Sequence, residues 1–111
     1  MKNKKTILIV DDEKDIRDLL EYNLNKNGYN TITATDGIDA LIKINSNIDC
    51  IILDIMMPNL DGYQTCQRIR TNLSTKHIPI IFLTAKNTDD DEIQGFKSGC
   101  DDFITKPISI K

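Results

Sequence analysis

Five residues that could do chemistry together each stand where an apolar run ends. Asp11 and Asp12 follow Ile7-Leu8-Ile9-Val10, and Asp54 follows Cys50-Ile51-Ile52-Leu53. Thr84 follows Ile80-Ile81-Phe82-Leu83, and Lys106 follows Phe103-Ile104-Thr105. Three carboxylates in one small pocket repel one another and need a cation or shared protons at neutral pH. Hard oxygen ligands without His or Cys favour Mg2+ or Mn2+ over Zn2+. Mg2+ takes one or two protein carboxylates and completes its shell with waters and phosphate oxygens. Lys106 would add a positive charge and Thr84 a hydroxyl donor for phosphoryl oxygens. An Asp carboxylate can itself be the nucleophile in phosphoryl transfer.

Each residue alone has a plainer reading. An Asp-Asp pair after a strand often only caps the next helix and complements its dipole. A Lys before a Pro is common at a strand end, and a single Thr says little. Asp54 resists that treatment, because Ile55-Met56-Met57-Pro58 follows it instead of a polar turn. The weight lies in the conjunction of all five at strand ends.

The elements that must position them alternate along the chain. Residues 6–10 form a β-branched and Leu run, as expected of a strand covered on both faces. From Glu13, Ile16, Leu19, Leu20 and Leu24 fall on a helical stripe that Gly28 closes. Residues 29–35 alternate as a second strand, and Asp36-Gly37 opens a helix carrying Ile38, Leu41 and Ile42. A third strand covers 50–53. Pro58 and Gly62 punctuate the next loop before a helix marked by Tyr63, Cys66 and Ile69. A fourth strand spans 78–83, a fourth helix 89–98, and a fifth strand 102–105. Strict alternation with right-handed crossovers predicts an α/β fold, a doubly wound five-stranded parallel sheet with helices on both faces. If the strand order is 2-1-3-4-5, strands one and three are neighbours, which brings Asp11, Asp12 and Asp54 together at the carboxyl ends, where such sheets bind ligands.

Composition narrows the function classes. The chain has 111 residues, of which 40% are hydrophobic and 28% charged, which suits one folded domain and excludes a disordered tail. A formal charge of −3 argues against standing affinity for nucleic acid or an acidic membrane. No apolar run approaches bilayer length, and the short stretch after Lys2, Lys4 and Lys5 is cut off by Asp11 and Asp12, against a signal peptide. Cys50, Cys66 and Cys100 are odd in number and widely spaced, so reduced and mostly buried thiols in a cytoplasmic protein are expected. His77 has no partner at metal spacing and reads as a surface residue. The acidic run Asp89-Asp90-Asp91-Glu92 fails the calcium-loop pattern, lacking Gly at the sixth position and Glu at the twelfth.

With these residues in order, the chain resembles the receiver domain of bacterial two-component response regulators. The resemblance rests on Ile7-Leu8-Ile9-Val10-Asp11-Asp12-Glu13, Asp54-Ile55-Met56-Met57-Pro58-Asn59-Leu60-Asp61-Gly62, Leu83-Thr84-Ala85 and Lys106-Pro107. It covers almost the whole chain. It implies that a sensor histidine kinase or phosphotransfer protein passes a phosphoryl group from His to Asp54. Asp12 and Asp54 would bind Mg2+ directly, Asp11 mainly through a water, and Met56 through its backbone carbonyl. Thr84 and Lys106 would contact phosphoryl oxygens, and Phe103 would take the place of the aromatic switch residue. Phe lacks the Tyr hydroxyl, so a switch here rests on packing; the plainer reading of Phe103 is a core side chain. The chemistry would be self-catalysed phosphoryl transfer and slow hydrolysis, with no other enzymatic activity.

Two rival functions are weaker. A haloacid-dehalogenase-type phosphatase uses an Asp-x-Asp nucleophile motif, and here Met56 stands two places after Asp54. A flavodoxin-like cofactor binder cradles phosphate in its first loop, which Asp11-Asp12-Glu13 would repel. The family also places a fifth helix after the Lys-Pro turn, whereas only Ile108-Ser109-Ile110-Lys111 follow here. The expectation is a receiver domain over 1–111 short of its last helix, cut from a longer response regulator with no output domain present. Alternatively, a partner or a second copy covers the sheet face, as a homodimer through the C-terminal half.

Overall fold

The computed structural model describes residues 4–84 and 99–106. Along them run β1 (Thr6–Val10), α1 (Lys14–Lys26), β2 (Asn30–Ala34), α2 (Gly37–Lys43), β3 (Cys50–Asp54), α3 (Gly62–Thr71), β4 (Ile80–Thr84) and β5 (Asp102–Thr105). The helix expected over 89–98 and the residues after Lys106 lie outside the described residues. The strands form one parallel sheet, as the alternation predicts, and its order is the expected β2-β1-β3-β4-β5.

Strand periodicity divides the apolar residues between two faces. Leu8, Val10, Ile51, Leu53, Ile80 and Phe82 face α2 and α3, where Ala40, Cys66 and Ile69 close the larger core cluster. Ile7, Ile9, Ile52 and Leu83 face α1, meeting Leu20 with Ile16 and Leu24 partly buried beside it. Phe82 is fully buried and takes Tyr63 and Phe103 edge-on, at centroid distances of 5.5 and 5.7 Å. Edge-to-face aromatic pairs add about 0.5–1.5 kcal/mol each beyond area burial.

Two helical stripes differ from the sequence reading. In α2, Ile38 and Ile42 face outward, 51% and 77% exposed, while Gly37 and Ala40 face inward. Close approach explains the choice, because a Cβ on Gly37 would lie 2.1 Å from Thr65 Oγ1 and 2.8 Å from the Leu60 carbonyl. Small residues therefore face α3, and the bulky ones must turn out. In α1, Leu19 stands at the margin of the buried stripe and is 38% exposed. The fourth strand also starts later than expected. Ile78 is buried in the preceding turn, its N–H bonded to the Thr75 carbonyl at 3.0 Å, and β4 begins after Pro79.

Candidate functional site

The site is assembled at the carboxyl ends of β1, β3, β4 and β5. Asp11 is fully buried and splits its carboxylate between two tasks. Its Oδ1 accepts the Glu13 N–H at 2.9 Å, which orders the turn into α1, where the N-cap residue Glu13 supplies no side-chain cap of its own. Its Oδ2 lies 3.1 Å from Lys106 Nζ and has no hydrogen-bond partner among the described residues. One Asp11 oxygen thus orders the turn into α1 while the other faces Lys106. Arg17, one turn into α1, donates to the Asp11 carbonyl at 2.9 Å and fixes the loop from outside.

Asp54 is the last residue of β3 and only 2% exposed. The loop after it is folded back tightly. Asn59 adopts a left-handed φ of 69°, and the Gly62 N–H bonds the Ile55 carbonyl at 2.9 Å. A Cβ on Gly62 would meet the Asp54 carbonyl at 2.6 Å and Ile55 Cα at 2.7 Å, so only glycine fits against the end of β3. Asp61 then caps α3 in a reciprocal box with Gln64, worth about 1 kcal/mol. Met57 packs inward against the core, as expected of a gap-filling methionine, whereas the Met56 side chain is exposed.

Asp11, Asp12 and Asp54 each place one carboxylate oxygen within 4.8 Å of the others. Lys106 Nζ stands 3.1 Å from Asp11, 3.3 Å from Glu13 and 3.6 Å from Asp54. Burial and then the neighbouring Asp11 charge push the Asp54 carboxyl up to about 7, only partly countered by Lys106. Asp11 is also raised, chiefly by burial, against the Glu13 N–H and Lys106. Burial works against the Lys106 ammonium, but Asp11, Asp54 and Glu13 outweigh it and hold its pKa above the ordinary lysine value. Carboxylates therefore outnumber cations in a largely buried pocket. The donor set is hard oxygen, and the buried Asp11 Oδ2 has no hydrogen-bond partner among the described residues. These features fit a divalent cation such as Mg2+.

Thr84 ends β4 beside this group, buried, and its carbonyl accepts the Lys106 N–H at 2.7 Å. Phe103 is half-buried at the core edge against Phe82. All five strand-end residues named from sequence are thus brought to one end of the sheet. Glu13, Arg17 and Gly62 join them. Their roles were not readable beforehand, since an exposed Glu, a helix Arg and a loop Gly carry no spacing signal. The thiols stand apart: burial pushes Cys66 and Cys100 up to about 11, and none of the three cysteines forms a disulfide. His77 is exposed.

Residues 7–111 match the response regulator receiver domain family. The chain belongs to that family. This receiver domain is 47% identical over 108 residues to the alkaline phosphatase synthesis transcriptional regulatory protein PhoP of Bacillus subtilis, covering 96% of this chain and 44% of PhoP. It is 43% identical over 106 residues to the DNA-binding dual master transcriptional regulator RpaA of Synechocystis, covering 95% and 44% of the two chains. It thus spans less than half the length of these curated relatives. Among solved structures it superposes on the chemotaxis protein CheY4 of Vibrio cholerae with a TM-score of 0.90 and 30% identity, over 96% of this chain and 90% of that one. No helix among the described residues is long and apolar enough to cross a membrane.

Proposed function

We propose that this receiver domain is a phosphorylation-controlled switch in which Asp54 accepts a phosphoryl group from the His of a sensor kinase or phosphotransfer protein. The observation that carries the reading is the convergence of Asp11, Asp12 and Asp54 within 4.8 Å, with Lys106 3.6 Å from the Asp54 carboxylate. In the transfer, an Asp54 carboxylate oxygen forms the new bond to phosphorus while the donor's bond to phosphorus breaks, its electron pair leaving on the donor atom. Lys106 offsets the negative charge gathering on the phosphoryl oxygens, and the Thr84 hydroxyl donates to one of them. Asp11, Asp12, Asp54 and the Met56 carbonyl would hold Mg2+, which when bound neutralises charge shared by the carboxylates and the phosphoryl group. Glu13 and Arg17 keep the first loop in place around Asp11.

The conformational output runs through Thr84 and Phe103. Thr84 moving toward the phosphoryl group leaves space beside Phe82 into which the Phe103 ring can turn. The reaction stays self-catalysed, with slow hydrolysis and no further substrate. The protein works in the cytoplasm as part of a longer regulator. Its kinship to transcriptional regulators supports control of an output by the rest of that protein.

Intact mass after incubation with acetyl phosphate and Mg2+ tests the reading. The wild-type protein should gain one phosphoryl group, and Asp54→Ala should gain none. Unmodified wild type, or equal labelling of the variant, refutes it.

A further inference from the structure

The Lys106 ammonium must be held among three carboxylates, and it follows the four-residue edge strand β5. β5 lies at the sheet edge and, among the described residues, pairs with β4 alone. Asp102, Ile104 and Thr105 are exposed, and Phe103 supplies the strand's turn toward the core. Among the strand's own residues, apolar burial thus sets the register through Phe103. A one-residue slip would carry Lys106 along by about 3.3 Å and turn Phe103 to the opposite face.

A polar clamp sits at the other end of the strand. Arg70, in the last turn of α3, donates from Nε to the Gly99 carbonyl at 2.8 Å. One terminal nitrogen donates to the Lys76 carbonyl at 3.0 Å and to the Ile78 carbonyl, and the other to Asp101 Oδ2 at 2.8 Å. That same Oδ2 accepts the Ile80 N–H at 2.7 Å, while the Asp101 N–H donates to the Ile80 carbonyl at 2.8 Å. One guanidinium thus ties the start of β4, the start of β5 and the end of α3 together. Gly99 is shaped to it: φ is +101°, and a Cβ there would stand 3.0 Å from Arg70 Cγ. The rigid fork of Arg reaches this many acceptors at once, whereas a lysine offers a point charge.

The geometry points to Arg70 as a positioning residue for Lys106, acting through Asp101 and the register of β5. The inference rests on the phosphoacceptor reading of Asp54 for its kinetic consequence, though not for its structural one. Arg70→Ala should slow Asp54 labelling by acetyl phosphate on the order of tenfold. In a Lys106→Ala background the same change should matter less than about twofold, because the group it positions is gone. Asp101→Asn keeps an acceptor for the Ile80 N–H and removes the charge, so a milder slowing of the same pattern is expected. Hydrogen exchange at the Lys106 amide, bonded to Thr84, reads the clamp without phosphorylation and should accelerate in both variants.

Equal slowing in both lysine backgrounds, or unchanged labelling, overturns the inference, as does unaltered protection of the Lys106 amide. If Arg70→Ala does not fold, Asp101→Asn decides by the same readouts. Failure of the wild type to label would instead refute the phosphoacceptor role, leaving amide exchange to judge the clamp.

Discussion

Replacing Asp54 by Asn should stabilise the metal-free protein, and the size of the effect follows from its burial. The carboxyl rises from 3.8 to about 7 on folding, because the chain buries it beside Asp11. Between those values the folded state holds a proton that the unfolded chain has released, so stability falls as pH rises from about 4 to about 7 and the loss is complete above. At about 1.4 kcal/mol per pH unit, the full penalty is about 4 kcal/mol. Asp11 is raised as well and will relax when its neighbour loses charge, and Lys106 loses one of its partners. A gain of about 2–4 kcal/mol for Asp54→Asn at pH 8 is the working figure, shrinking toward zero near pH 4.5. For a domain of this size it corresponds to a Tm increase of roughly 9–17 °C. Urea unfolding in chelator at pH 4.5, 6 and 8 measures it, and the pH dependence matters more than the absolute value. A gain independent of pH, or none at pH 8, would mean that the folded pocket does not hold Asp54 as a strained carboxylate.

The same repulsion predicts that Mg2+ stabilises the unphosphorylated wild type. At a hundredfold excess over Kd the gain is about 2.7 kcal/mol, and Asp54→Asn should show far less. A wild-type Tm unmoved by saturating Mg2+ would count against the three carboxylates as a metal site. Gly62→Ala should destabilise by about 1–3 kcal/mol in urea unfolding, since its Cβ meets backbone atoms of Asp54 and Ile55 that cannot yield. It should also slow Asp54 labelling by shifting the end of β3; wild-type stability in that variant would show that the loop adapts freely.

Much of the site was legible because strand ends are readable. A run such as Cys50-Ile51-Ile52-Leu53 announces a buried strand, and the polar residue that stops it, Asp54, must then lie at the carboxyl edge of the sheet. Parallel alternation brings every such edge to the same side, so Asp11, Asp12, Asp54, Thr84 and Lys106 could be grouped before any distance was known. Helix faces were less readable. Ile38 and Ile42 belong to an apolar pattern, but Gly37 is pressed against Thr65 and Leu60, and the two isoleucines turn outward.

The sequence by itself determined the order of the elements, the parallel sheet and the five residues at its carboxyl edge, because hydrophobic period and chain alternation are local signals. Tertiary structure alone decided that Lys106 lies between Asp11, Glu13 and Asp54. It also decided that one buried Asp11 oxygen has no hydrogen-bond partner among the described residues and that Arg70 grips the chain entering β5. Those facts depend on angles and burial between residues far apart in the chain. Electrostatic energy varies with distance and with exclusion of water, and neither is written in spacing along the chain.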